Sequence, residues 1–517
     1  MYVLKFRCGA PQQVLTHHSV ARTVVKYKRI VIIDPLPDDI FLEIFDLCLR
    51  DPTRYLVQRM RKWIVLVHVC QRWRRIIFAS PRRLDLYLSC ICGTPVRQNL
   101  VYWPPTFPLV IDYPGPVSSS NHTPDDDDNI VVALTHADRI HRINIYGTSE
   151  LVKKVAAVMR KPFPVLTHLE LKWSEEDIPG PLPFLPRRFL GESAPRLEYL
   201  YLSGVSFRSL QTLLWSARNL LTLRLDDILQ SIPPETTVAA LAVLTRLSTL
   251  SIDFDWEEPQ PDRHLNHPMP TILPSLTEFH YKGHSAYLEG FLALINTPLV
   301  DNIWIQYFME EIQVPQLSWF IGRTKNLKDA QFRRAYVNFY SDEVNIGLEL
   351  DLPRREYQTK MTLTLLGPWS NIQVPYVVNV LDRLVGLFSN VDHLSTHGSC
   401  LEWRDMGDLD GIEWLQFLHL FPAVETLHLS GDVVPYIASA LDDIAEEMLT
   451  GVVPALHLLW LDEEDRGGVD KRVGSMKRFL YLRQLSGRPV TVVNTEDEFD
   501  ETLNRSTEAE GVSEMIE

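Results

Sequence analysis

The chain has 517 residues, 45% of them hydrophobic and 23% charged, with a net charge of −15 at neutral pH. That length fits two or more domains or one long repeat array, and the apolar and charged fractions are ordinary for a folded soluble protein. The negative balance argues against binding a phosphate backbone, so no nucleic-acid partner is expected, and no apolar run is long enough to span a bilayer, so no membrane partner is expected.

Residues 1–32 form a basic arm with no Asp or Glu. Lys5, Arg7, Gln12, Gln13, His17 and His18 interrupt any continuous apolar region, which argues against a secretory signal. The lack of acidic residues is shared by mitochondrial transit peptides and by short basic arms. Cysteines at 8, 48, 70, 90, 92 and 400 make no disulfide framework. They fit a reducing compartment, and the expected location is cytoplasmic, nuclear or both.

Residues 33–80 read as a small all-helical module. Pro37 suits a first helical turn, and Asp38, Asp39 and Glu43 place negative charge near the helix N-terminus. Ile40, Phe41, Ile44, Phe45, Leu47 and Cys48 recur at helical spacing and predict one broad apolar face. Leu66, Val69, Cys70, Trp73, Ile76 and Ile77 predict a second. Arg59, Arg61, Lys62, Arg72, Arg74 and Arg75 predict a basic outer side. Helices this short and this apolar cannot bury everything among themselves, so part of the surface must meet another protein or the rest of the chain.

The run Leu36-Pro37-x-Asp39-Ile40, with Ile44 and then Val69-Cys70-x-x-Trp73-x-x-Ile76, resembles the F-box. The resemblance covers about a tenth of the chain, and the insert from Arg50 to Trp63 is longer than in the compact motif. It implies docking to a Skp-type adaptor and, through it, to the cullin scaffold of a cullin–RING ubiquitin ligase. The matched residues Leu36, Pro37, Ile40, Ile44, Val69, Cys70 and Trp73 would then be adaptor-binding. A plain helical hairpin or a helix-turn-helix would show similar periodicity.

Residues 81–129 read as linker strands and an acidic loop. Leu84 to Leu88 alternates with period two, as a half-buried strand does, and Leu109 to Tyr113 is a second strand ended by Pro114. Ser118 to Asp128 reads as a polar, solvated loop. Its Asp run lacks the Gly and terminal Glu of a calcium loop.

From residue 130 to 494 a unit recurs in the form apolar-x-x-apolar-x-apolar. Copies start at Ile140, Leu166, Leu197, Leu220, Leu247, Leu276, Val300 and Leu327, in steps of 26, 31, 23, 27, 29, 24 and 27. Further copies start at Val391, Val424 and Leu456. A spacing of this order with this core is the signature of leucine-rich repeats, each one strand plus a helix or loop. Ser149–Met159, Ser206–Trp215, Val238–Leu244 and Tyr287–Ile295 read as the intervening helices. Regularity lapses between 333 and 390, where Thr362–Leu366 reads as a strand and Val374–Phe388 as a helix. Val473–Leu485 and Val490–Val493 read as a closing helix and strand. The segment 495–517 holds nine acidic residues and one Arg, and reads as an acidic disordered tail. The expected fold class is therefore α/β: a helical module followed by an irregular leucine-rich-repeat solenoid. Together with the F-box-like stretch, it resembles the leucine-rich-repeat class of F-box proteins found in mushroom-forming fungi.

No phosphate-binding glycine loop and no H-E-x-x-H occurs, and Cys90-x-Cys92 has the wrong spacing for zinc. Gly283-His284-Ser285-Ala286-Tyr287 lacks the second Gly of a nucleophile elbow and reads as a turn. No catalytic residue, cofactor or metal is expected, and the chain is read as a non-enzyme. What remains is recognition. In each unit the third and fifth residues face away from the core. Among these, Tyr199, Tyr201, Arg224, His280, Trp304, His428 and Trp460 are the residue types that anchor interfaces, and they are the candidate contacts for a protein substrate. The resemblance makes the chain a substrate receptor of an SCF-type ligase. The alternative is a repeat scaffold whose helical head merely caps the array.

Overall fold

The computed structural model describes residues 35–49, 63–113, 124–173, 185–205, 210–228, 232–254, 270–308, 312–352, 356–367, 374–399, 411–444, 451–462 and 476–494, apart from 82, 85, 92, 103, 313 and 329. The basic arm, the insert 50–62 and the acidic tail lie outside these residues, as do Cys400 and Ser118 to Thr123. The chain divides into two units, Met1–Leu84 and Asp85–Glu517.

The first unit is the head. Helix α1, Asp38–Leu49, opens directly after Pro37, with Asp38 and Asp39 in its first turn. A short helical stretch follows at 63–67. Helix α2, Gln71–Ala79, is capped by Cys70, whose Sγ accepts the Trp73 N–H at 3.4 Å. The core is aromatic. Trp73 meets Phe45 edge-on at 4.9 Å and Phe41 at 5.8 Å between ring centroids. Such contacts add about 1 kcal/mol each beyond the area they bury.

The single apolar face expected on α1 is in fact split. Phe41, Leu42, Phe45 and Leu49 are buried, whereas Ile40, Ile44, Leu47 and Cys48 are exposed. A stripe this wide exceeds what two short helices can cover. Arg72 also departs from its expected place on a basic outer side. Its guanidinium donates to the Leu36 carbonyl and to Asp38, and it lies 4.8 Å from the Phe41 ring centroid. It clasps the start of α1 to α2.

The second unit is built on one sheet of 16 strands. In chain order these are β1 Leu88–Cys90, β2 Leu109–Tyr113, β3 Ile140–Gly147, β4 His168–Trp173, β5 Tyr199–Ser203, β6 Thr222–Ile228 and β7 Thr249–Phe254. After the short β8, Thr271–Ile272, come β9 Glu278–Gly283, the short β10 Ile295–Asn296, and β11 Asn302–Phe308. The remainder are β12 Arg334–Phe339, β13 Glu343–Leu352, β14 Glu356–Leu366, β15 His393–Gly398, β16 Thr426–Gly431, β17 Leu458–Leu461 and β18 Thr491–Asn494. Among the described residues β8 and β10 pair only with each other.

The repeat unit explains the ladder. Its first, fourth and sixth residues are buried in every strong copy, as with Leu166, Leu169 and Leu171 or Leu220, Leu223 and Leu225. Each such Leu contributes about 2 kcal/mol by leaving water. Equal positions pair across neighbouring strands, Leu169 with Leu200, then Leu223, then Leu250. Helices return the chain between strands, so successive strands run parallel.

Four expectations are corrected. The strand expected at Leu84–Leu88 begins only at Leu88 and runs to Cys90. It and β2 pair in parallel with each other, and β2 with β3, so residues 88–113 are the first rungs of the ladder and not a linker. The polar loop expected through Asp128 ends earlier, because Pro124 opens a helix that runs to Leu134. Pro at the first position with Asp125, Asp126 and Asp127 behind it is a strong helix start, which outweighs the polarity of the run. Asp126 is buried and accepts the Gly93 N–H at 2.6 Å. Finally, the copy starting at Leu327 is not a strand: Lys325–Lys328 is a helical turn, and the strand begins at Arg334.

The irregular segment has a definite topology. Strand order runs β11-β14-β13-β12-β15. β12 follows β11 in the chain but lies three places beyond it, and the hairpin β13–β14 fills the gap. β13 is antiparallel to both neighbours, while β14 is parallel to β11 and β12 to β15. Val344, Ile346 and Leu348 face Leu365, Leu363 and Met361 in this hairpin, all buried.

Side chains also clamp successive repeats. Buried Glu289, in the helix Ser285–Ala293, accepts the N–H groups of Gln316 and Leu317 and so caps the next helix, Pro315–Arg323. Arg323 at the far end of that helix donates back to the carbonyls of Leu292 and Ile295. Glu289 on Gln316 and Leu317, and Arg323 on Leu292, satisfy backbone groups that a helix end leaves open. The result is a stiff support for the residues on the open face of the sheet.

Candidate recognition surfaces

The head presents the first surface. Ile40 is 41% exposed, Ile44 37%, Leu47 69%, Val65 64% and Val69 56%. Pro37 and Cys70 are also exposed, and Leu36 is half-buried. Of the seven head residues singled out in the sequence, Trp73 stands apart. It is half-buried against Phe41 and Phe45 and holds the helices together. Leu47 and Val65 were missed as candidates; their spacing from Ile44 and Val69 carries the only signal.

The face of the sheet opposite the buried Leu ladder presents the second. One row crosses from β4 to β11 through Glu170, Tyr201, Arg224, Ser251, His280 and Trp304. It continues through Thr362, Gly347, Tyr336, Ser395, His428 and Trp460. Six of the seven substrate-contact candidates thus share one row. Tyr199 lies in the adjacent row with His168 and Thr222.

The row is already partly assembled. The Arg224 guanidinium stands 5.0 Å from the Tyr201 ring centroid and 3.7 Å from Asp226. His168 stacks on Tyr199 at 5.9 Å, and His280 approaches Trp304 at 6.0 Å. His428 Nε2 lies 3.0 Å from Asp462. Burial, with a smaller push from Arg142 on His168, lowers the pKa of His168, and burial also lowers that of His280. Both rings are therefore neutral on this face near neutral pH.

Tyr336 was missed in the sequence because it lies in the irregular segment. It stands opposite Gly347, where a Cβ would meet the Tyr336 Cε1 at 2.1 Å. The ring lies across a position that only Gly leaves open, which makes it a fixed aromatic platform between Trp304 and His428.

A carboxylate group edges this face. Asp227 has φ +53° at a register break in β6, and it accepts the Ser203 hydroxyl at 3.1 Å. Asp226 accepts the Tyr201 hydroxyl. Asp253 lies 3.4 Å from Lys282, yet burial outweighs that cation and pushes its pKa up to about 7. Between the ordinary carboxylate range and that value, the folded chain holds a proton the unfolded chain has released. Stability through this group therefore falls as pH rises across that window, at about 1.4 kcal/mol per tenfold change in proton affinity. Urea titrations at about pH 5 and about pH 8 check this: Asp253→Asn should shrink the loss of stability between them. An unchanged difference removes Asp253 as its source.

Among the described residues no group of three or more His, Cys, Asp or Glu is placed to hold a metal ion, and no helix is long and apolar enough to cross a membrane. Ser285 is buried at the start of its helix, so the sequence around Gly283 is a strand-to-helix turn.

The ladder, its register and the repeat spacing define an α/β protein of leucine-rich-repeat type. No protein-family model matches the chain, and no curated protein matches it. A solved structure similar to it is that of the leucine-rich repeat-containing protein LegL7 from Legionella pneumophila, at 8% identity. That match covers 80% of this chain and 91% of that one, with a TM-score of 0.23. The class rests on the ladder itself.

Proposed function

We propose that this chain is the substrate-receptor subunit of an SCF-type cullin–RING ubiquitin ligase. Its head would dock a Skp-type adaptor, and through it the cullin scaffold, while the open sheet face would hold a protein substrate. The chain itself would make and break no bonds, and it would work in the cytoplasm, the nucleus or both. One observation carries the reading: Ile40, Ile44 and Val69 of the F-box-like motif stay exposed beside a head core already filled by Phe41, Phe45 and Trp73. Holding substrate at a fixed distance from the ubiquitin-carrying enzyme raises its effective concentration there, which is all such a subunit contributes.

The coarser reading, a repeat scaffold for protein interaction without a ligase, needs only the open face with Tyr201, Arg224, Trp304 and Trp460. Proximity labelling separates the two. Ile40→Ser plus Ile44→Ser should lose the adaptor and enrich substrate, because bound substrate is no longer degraded. Tyr201→Ala plus Trp304→Ala should keep the adaptor and lose substrate. If neither variant changes adaptor labelling, the scaffold reading stands alone.

A further inference from the structure

We infer that the protein substrate presents a Lys or Arg side chain to the open face, and that this side chain enters a gap over Ser251 between the carboxylates of Asp253 and Glu278. The inference rests on the reading that the open face holds the substrate, and it adds the chemistry of the segment held.

The gap follows from side-chain size and from where the neighbours point. Ser251 is the smallest residue of the row between Tyr201 and Trp304, and it is 9% exposed. Its neighbours across the sheet are Arg224 on β6 and His280 on β9, each about 4.8 Å away along the ladder. The Arg224 guanidinium lies over the Tyr201 ring on β5, and His280 packs beside Trp304 on β11. Both are engaged on the side away from Ser251. Ser251 is thus the floor of a gap between two larger side chains.

Carboxylates border this gap along the strand. Side chains two residues apart share a face and stand about 7 Å from each other, so Thr249 and Asp253 flank Ser251 on β7. The Thr249 hydroxyl donates to Glu278 Oε2 at 3.1 Å, which holds that carboxylate over β7. At the other end Asp253 faces Asp226 and Asp227 from β6 and Lys282 from β9.

The charges do not balance. Arg224 approaches Asp226 and Lys282 approaches Asp253, at 3.7 and 3.4 Å. Asp227 and Glu278 accept from the hydroxyls of Ser203 and Thr249, which bring no positive charge. Two carboxylates around the gap are therefore left without a cation. A Lys or Arg of the partner supplies one, and its apolar stem passes beside the neutral His280 ring. An acidic side chain would be repelled, and an apolar one would strip water from Glu278 and Asp253 without replacing it. Asp253 responds to the shortage: burial outweighs Lys282 and pushes its pKa up to about 7. An arriving cation favours its ionised form, so affinity climbs as pH rises through that value.

Selection of a random-peptide phage library on the full chain tests this, followed by fluorescence anisotropy of one labelled selected peptide. The selected peptides should share a Lys or Arg. Asp253→Asn plus Glu278→Gln should weaken the labelled peptide about tenfold or more, the range for lost hydrogen bonds to charged groups. Replacing the peptide's Arg by citrulline, or its Lys by norleucine, should weaken it as much, and this arm leaves the protein untouched. Affinity should rise between about pH 6 and about pH 8 for the wild type and change less for Asp253→Asn. Selected peptides with no excess of Lys or Arg, or equal binding by the carboxylate variant and the wild type, overturn the inference. If such peptides are still lost on Tyr201→Ala plus Trp304→Ala, the open face holds substrate without a cation, and only the inference falls. If no peptide is selected, both fall.

Discussion

Replacing Gly431 with Ala is expected to destabilise the C-terminal repeats by at least about 3 kcal/mol, the range of substitutions that combine backbone strain with a steric clash. Gly431 has φ +67°, and a Cβ there would sit 2.0 Å from the Gly398 carbonyl oxygen. That oxygen cannot withdraw cheaply, because it accepts the Asp432 N–H at 2.7 Å where β15 and β16 converge. Gly487 provides the control. Its φ is +72°, but a Cβ there meets nothing within 4 Å. Gly487→Ala should therefore cost only the left-handed strain, about 1 kcal/mol. Urea unfolding followed by tryptophan fluorescence checks both. Because repeat arrays lose stability locally, Gly431→Ala should also split off an early transition. Equal effects at the two positions would contradict the close approach of the paired strands β15 and β16 at Gly398 and Gly431.

Phe45→Ala is expected to unfold the head. The ring is fully buried and contacts both Phe41 and Trp73, and truncating a core Phe costs about 3–5 kcal/mol. A unit this small has little stability beyond that. Ile40→Ser plus Ile44→Ser lies one helical step away on the same helix and should cost less, since Ile40 and Ile44 already keep 41% and 37% of their surface in water. Proteolysis of the head should separate the two: rapid cleavage in Phe45→Ala, near wild-type resistance in the double variant. If the double variant is cleaved as fast as Phe45→Ala, Ile40 and Ile44 belong to the core and are not a free surface.

These contrasts show where the sequence was readable. Leu-x-x-Leu-x-Leu was sufficient for most of the ladder, because each of its three apolar positions has one structural meaning. Tyr201, Arg224, His280 and Trp304 align into a row from the repeat spacing alone, since neighbouring copies pair without offset. Leu88 and Leu109 carry the same ladder with only fragments of the motif, so β1 and β2 read as a linker. β13 and β14 show plain alternation, which fixes a strand but not its direction or neighbours. Tyr336 therefore stayed hidden, although it stands in the same row. On α1, periodicity marked six apolar positions as equivalent and passed over Leu42 and Leu49, which are buried. Only the packing of Trp73 decided which of them go inward. The pKa of Asp253 depends on burial at a register break, to which no spacing rule points.

The most direct test of the account is the affinity of the full chain for a purified Skp-type adaptor, measured by isothermal titration calorimetry. The account predicts saturable one-to-one binding that Ile40→Ser plus Ile44→Ser abolishes while circular dichroism stays that of the wild type. A folded wild-type chain that binds no adaptor, under conditions where another F-box protein does, would contradict it.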